Sequence, residues 1–147
     1  MSSGTEGTWA LENVTLPVKL KLAALWTATM FLFVYGDVFT VYRADKVREI
    51  LGGKIAGFEV TQAFLLATSV YVAIPSVMVF LSLALRPGVS RAINVAAGAI
   101  YALTIIASAI GEGWAYSILL SVVEVALVLL IVWLAWNWPR GPARTAA

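Results

Sequence analysis

The 147-residue chain contains no cysteine and no histidine. The first absence excludes disulfides, thiolate nucleophiles, iron-sulfur ligation and quinone-linked thiol chemistry. The second removes histidine-ligated haem, the usual zinc sites and imidazole general bases. No lysine lies deep within an apolar run, which argues against a retinal-type Schiff base. No cofactor is expected, and any proton chemistry falls to carboxylates. Charge is scarce as well, at 12% of residues against 61% hydrophobic, with a mean hydropathy of +0.91. Soluble domains carry about 25% charged residues, so the solvent of this chain is the bilayer. The small positive balance of +2 comes from Lys and Arg beside the apolar runs. It points to lipid headgroups and orientation, and no nucleic-acid partner is expected.

A helical crossing needs roughly 20 apolar residues, and four runs of that kind nearly exhaust the chain. They are residues 20–42, 58–85, 89–110 and 114–136, with a polar tail at 1–19 and another at 137–147. The expected fold is all-α, a single membrane domain built as a four-transmembrane-helix bundle. The leading tail lacks the apolar core and cleavage site of a secretory signal, and the first run is too long for one, so it is expected to stay in the mature protein. The Asn13-Val14-Thr15 sequon is read as a chance match. Between spans 1 and 2, the connector 43–57 sets Val47, Ile50 and Leu51 on one side and its charges elsewhere. That pattern predicts a short interfacial helix ended by Gly52-Gly53. Pro75 is the expected kink in the long second span. Trp133, Trp136 and Trp138 close the fourth span as an aromatic belt.

Four crossings place both termini on one side, with Lys19, Lys21, Arg86, Arg91, Arg140 and Arg144. The other side carries Arg43, Lys46, Arg48 and Lys54. The balance favours cytoplasmic termini and leaves Asp37, Glu59 and Glu112 toward the outer face. Glu124 lies roughly 15 Å below Trp114, at 1.5 Å per residue. A charge at the centre of a span costs about 2.5 to 3.5 kcal/mol, while each Leu, Ile or Val contributes about 0.3 to 0.6 kcal/mol. Thirteen such residues accompany Glu124 in its run, so the span inserts with its acid.

Ionisable groups inside membrane spans are functional-site candidates. Helical spacing puts Glu59, Gln62, Leu66, Ser69, Ala73 and Ser76 on one stripe of span 2. Asn94, Gly98, Tyr101, Ile105, Ser108 and Glu112 share a stripe of span 3, and Ser117, Ser121 and Glu124 one of span 4. Small and hydroxyl residues let membrane helices approach closely, so these stripes are expected to turn inward and bring the acids together. The candidate ligand- or proton-binding residues are Glu124, Asp37, Glu59, Gln62, Glu112 and Tyr101. Each also has a plain structural reading. Glu59 suits the first turn of its helix, and Glu112 suits a solvated turn. Asp37 could pair with Arg43 or Lys54, and Glu124 could hydrogen-bond Tyr101. Tyr35, Tyr42, Tyr71 and the tryptophans read as interface anchors.

Several segments together carry a resemblance: Gly36-Asp37, Thr61-Gln62, Ile74-Pro75-Ser76, the turn from Gly111 to Tyr116, Glu124, and the closing run from Trp133 to Pro139. The chain resembles an uncharacterised family of small four-span bacterial integral membrane proteins, a domain of unknown function. It is more loosely similar to DoxX-like four-helix proteins. The resemblance implies a multi-pass protein of the bacterial inner (plasma) membrane and transfers no activity.

Two functional classes follow. In the first, membrane carboxylates bind or transport a proton, a metal cation or a small organic cation. Four short spans and a membrane acid resemble the small multidrug transporters, which carry their key glutamate early in span 1, whereas Asp37 stands near its far end. The alternative is a non-catalytic accessory or assembly subunit whose polar stripes are structural. The lipid bilayer is the expected partner, with a homo-oligomer or a larger membrane complex as further possibilities. No motif joins an acid, a base and a nucleophile into an enzyme site.

Overall fold

The computed structural model describes residues 15–139 of the protein. Arg140, Arg144 and most of the leading tail, including Asn13, lie outside the described residues. The elements run α1 (Val18–Val41), α2 (Ala44–Leu51), β1 (Lys54–Ile55), β2 (Phe58–Glu59), α3 (Gln62–Ala84), α4 (Pro87–Ala109) and α5 (Ala115–Trp136). Helices α1, α3, α4 and α5 are each long and apolar enough to cross a membrane. At 1.5 Å per residue they reach roughly 33 to 36 Å, against a hydrocarbon core of about 30 Å. The protein is therefore a multi-pass membrane protein.

The distribution of side chains inverts that of a soluble bundle. Phe31, Phe80, Leu103, Leu119 and Trp136 are exposed, while Thr29, Ser82, Ser90, Asn94 and Glu124 are buried. Lipid solvates the apolar exterior, and polar groups must find partners inside. Helix α1 packs against both α3 and α5, and α4 lies along α5. Contact between α3 and α4 is sparse although they are consecutive. The α4–α5 approach depends on Gly98, where an added Cβ would stand 2.7 Å from Val132 Cγ2 and 3.2 Å from the Val128 carbonyl oxygen.

Local chemistry sets the element boundaries. The second crossing helix starts at Gln62, four residues later than the apolar run, because Phe58 and Glu59 pair antiparallel with Ile55 and Lys54. Ala56 and Gly57, with φ of 51° and 81°, make the two-residue turn, the pattern of a type I′ hairpin. Thr61 then caps α3, its side-chain oxygen accepting from the Phe64 amide at 3.1 Å. Glu59 thus sits in a strand and not in the first turn of a helix. At the far end of α3, Lys19 donates to the carbonyls of Leu83 and Leu85 at 2.9 and 2.6 Å, satisfying groups that a helix terminus leaves free. Pro87 opens α4, where its missing N–H costs nothing. The short α2 matches the expected interfacial helix. It buries no residue, and Leu51 is 82% exposed, as an apolar face meeting lipid would be.

Near the Lys19 end, one closed polar network joins three helices. The Trp26 indole donates to Asn94 Oδ1 at 2.7 Å, and the Ser82 hydroxyl donates to the same oxygen at 3.1 Å. The Asn94 amide donates to the Ser90 carbonyl at 2.8 Å. Trp26 is fully buried, so it is a core residue and not an interface anchor.

The inward stripes hold on α4 and α5 but not on α3. Asn94, Gly98, Tyr101 and Ile105 are buried, as is Glu124. On α3 the buried residues are Pro75, Met78 and Ser82, while Gln62, Leu66, Ser69, Ala73 and Ser76 are exposed. Ser69 and Ser76 donate to the carbonyls four residues back, Leu65 and Val72, at 2.8 and 3.1 Å. A hydroxyl satisfied by its own helix has no need of the bundle interior.

Candidate functional site

At the Arg43 end, the four crossing helices line an open cavity of about 590 Å³. Each helix contributes one face at helical spacing. Phe33, Gly36, Asp37 and Thr40 come from α1, and Phe64, Thr68, Tyr71 and Val72 from α3. Thr104, Ile105 and Ser108 come from α4, and Tyr116, Ser117, Leu120, Ser121 and Glu124 from α5. The hairpin adds Ala56 and Phe58. Phe58 stacks on Phe64 with ring centroids 6.1 Å apart, and the Gly57 amide donates to Glu49 on α2 at 2.8 Å.

Two of the expected residues meet here. Glu124 is 8% exposed, deep in α5. Asp37 stands one turn from the end of α1 and is exposed. The cavity thus has one shallow and one deep acid, and its lining includes no Lys or Arg. Among the described residues neither carboxyl has an ion-pair partner within 4.0 Å. Asp37 is not paired with Arg43 or Lys54.

The other expected residues lie elsewhere. Glu59 and Gln62 are exposed at the hairpin and the start of α3. Tyr101 is buried and gives its hydroxyl to the Tyr71 carbonyl, not to Glu124. The Tyr71 and Thr104 hydroxyl oxygens are 2.7 Å apart. Since Thr104 donates to the Tyr101 carbonyl at 3.0 Å, Tyr71 is the donor between them. Tyr71 is therefore a wall of the cavity, packed on Phe33 and Tyr101, where the sequence suggested an interface anchor. Its role was signalled by position alone, at the helical spacing from Thr68 and Phe64.

Glu112 belongs to a separate electrostatic clamp. Arg43, 8% exposed, donates to both Glu112 oxygens at 3.2 and 3.1 Å and to Asp45 Oδ2 at 2.8 Å. Its guanidinium also lies 4.6 Å from the Trp114 ring centroid. Glu112 accepts from the Gly113 and Trp114 amides, each at 3.0 Å. Burial works to raise the Glu112 carboxyl, but the Trp114 amide and Arg43 outweigh it and hold the group below its ordinary value. The Asp45 carboxyl is likewise lowered, chiefly by Arg43. The clamp fastens the α1–α2 junction to the α4–α5 turn beside the cavity, and leaves Arg43 engaged outside the lining.

No curated protein and no solved structure matches the chain. Over residues 15–144 it matches the family described as Family of unknown function (DUF6326), and with nearly its whole length covered the chain belongs to that family.

Proposed function

We propose that this multi-pass protein binds, and moves across the membrane, a small cation, the proton included, using Asp37 and Glu124. The observation that carries the reading is two carboxyl groups on one membrane cavity whose lining has no basic side chain. A charge on Glu124, buried in a membrane helix, must be balanced locally. With Arg43 held by Glu112 and Asp45, the balancing charge is a proton or a bound cation. Shallow Asp37 and deep Glu124 suit stepwise entry from the Arg43 end. In the orientation favoured by the distribution of Lys and Arg, that end faces outward.

The test is flux in liposomes reconstituted with the full chain and loaded with a pH-sensitive dye. Cation-driven proton movement is expected, with Glu124→Gln and Asp37→Asn each reducing it about tenfold or more, a factor equivalent to about 1.4 kcal/mol. Flux that survives both substitutions unchanged rules the reading out.

One observation favours the accessory-subunit alternative: the outward stripe of α3, with Gln62, Ser69 and Ala73 exposed. Under that reading Ser69→Leu and Ala73→Leu abolish a co-purifying partner, and no transport exists to lose.

A further inference from the structure

We propose that the cavity selects an organic ammonium ion bearing at least one N–H, a protonated amine with an apolar body, over metal ions and quaternary ammonium ions. The inference rests on the cation-binding reading above and names its ligand class.

The polar part of the lining consists largely of acceptors. Thr40, Thr68 and Ser108 give their hydroxyl protons to carbonyls of their own helices, those of Gly36, Phe64 and Ile105, at 2.9, 3.0 and 2.8 Å. What these groups retain for the cavity is oxygen lone pairs. Together with Asp37 and Glu124 they form a wall that accepts hydrogen bonds and favours positive charge. A protonated amine supplies both complements. A quaternary ammonium supplies only the charge.

The apolar part of the lining matches an organic body. Phe33, Phe58, Phe64, Tyr71 and Tyr116 reach it from α1, β2, α3 and α5, and aromatic surface attracts organic cations. The volume of about 590 Å³ lies within the small-molecule range. A hard metal ion needs six or more oxygen ligands or retained water, and it makes no use of the five aromatic rings on this wall, whereas an organic cation does.

The test titrates the detergent-purified full chain with phenethylammonium, with its N,N,N-trimethyl analogue, and with Mg²⁺ and Ca²⁺, by calorimetry at one pH. Phenethylammonium is expected to bind about tenfold or more tighter than the trimethyl analogue, the factor that one charge-assisted hydrogen bond supplies. Thr68→Val removes an acceptor and keeps the side-chain shape; it should weaken phenethylammonium alone. Glu124→Gln and Asp37→Asn should weaken both ammonium ions, and the exposed Asp37→Asn and Thr68→Val serve if Glu124→Gln does not fold. Equal or tighter binding of the trimethyl analogue overturns N–H selection, and displacement of both by Mg²⁺ or Ca²⁺ overturns the ligand class. If neither ammonium binds while acid-dependent proton flux persists, this inference falls and the cation-binding reading stands. If that flux is absent too, both fall.

Discussion

The hydroxyl of Tyr101 donates to the backbone carbonyl of Tyr71, the group that Pro75 leaves without its helical partner. Proline has no N–H to return to the carbonyl four residues back, and α4 supplies a donor to it in place of that N–H. The proline position is thus one point at which α3 and α4 are joined. Tyr101→Phe should cost about 1 to 3 kcal/mol, the range for an orphaned buried acceptor. Pro75→Ala restores the N–H, and in that background the cost of Tyr101→Phe should drop by about 0.5 kcal/mol or more. Thermal melting in detergent of the two single variants and the double variant reads the coupling. Strict additivity would refute the assignment.

Gly98 is the contact on which α4 and α5 close. Gly98→Ala should destabilise by about 1 to 3 kcal/mol, because a methyl group would overlap Val132 and crowd backbone at Val128. Adding Val132→Ala should recover part of the loss, the Val128 carbonyl being unable to withdraw. A Gly98→Ala protein that melts like the parent would show that the helices have slack there.

Acid should loosen the Arg43 end first. Glu112 and Glu49 both sit below their ordinary value of 4.5 in the folded protein. For Glu112 burial is outweighed by the Trp114 amide and Arg43, and for Glu49 the Gly57 amide leads, ahead of Lys46. A depressed carboxyl means the unfolded chain binds more protons in that range. The stabilisation is therefore fully present above about pH 4.5 and is lost as pH falls through the depressed values. Melting temperature followed from pH 7 to 3 should show the decline, and Glu112→Gln should start lower and decline less. Arg43→Lys should also start lower, since an ammonium lacks the planar fork that grips both Glu112 oxygens and Asp45, but it keeps the titrating carboxyl and so the decline with acid.

The hairpin over the cavity holds Ala56 at a φ of 51°, where alanine is strained. Asn at this place, ahead of Gly57, makes the preferred type I′ pair. Ala56→Asn should stabilise the hairpin by about 0.4 to 1 kcal/mol, by analogy with other backbone-compatible turn substitutions. The readout is slower hydrogen exchange at the Val60 amide, which donates to the Gly53 carbonyl at 2.8 Å. Unchanged exchange there would mean that the turn does not limit opening.

The crossing helices were legible because lipid demands long apolar runs, and α4 was legible because Gly98 and Asn94 have no use on a lipid-facing side. The face of α3 was not legible. Ser69 and Ser76 look like interior residues by type, yet their own backbone satisfies them, so composition carried no information about rotation. Trp26 was obscured in a similar way, since tryptophan belongs to the interface by habit and only Asn94, 68 residues on, draws it inward. For the site, Glu124 was identified from its depth in the fourth run, and Asp37 as the membrane acid of the first. The aromatic wall and the engagement of Arg43 with Glu112 depend on which helices are neighbours, and local periodicity does not encode that.

Lys19 adds a consequence for how the helices depend on one another. It sits in the first turn of the first crossing helix, and its partners are carbonyls at the last turn of the second. The end of α3 is therefore completed by a residue synthesised some sixty positions earlier. The carbonyls that close the second crossing helix are thus satisfied only when both helices are in place, so this corner couples the stability of α3 to the presence of α1.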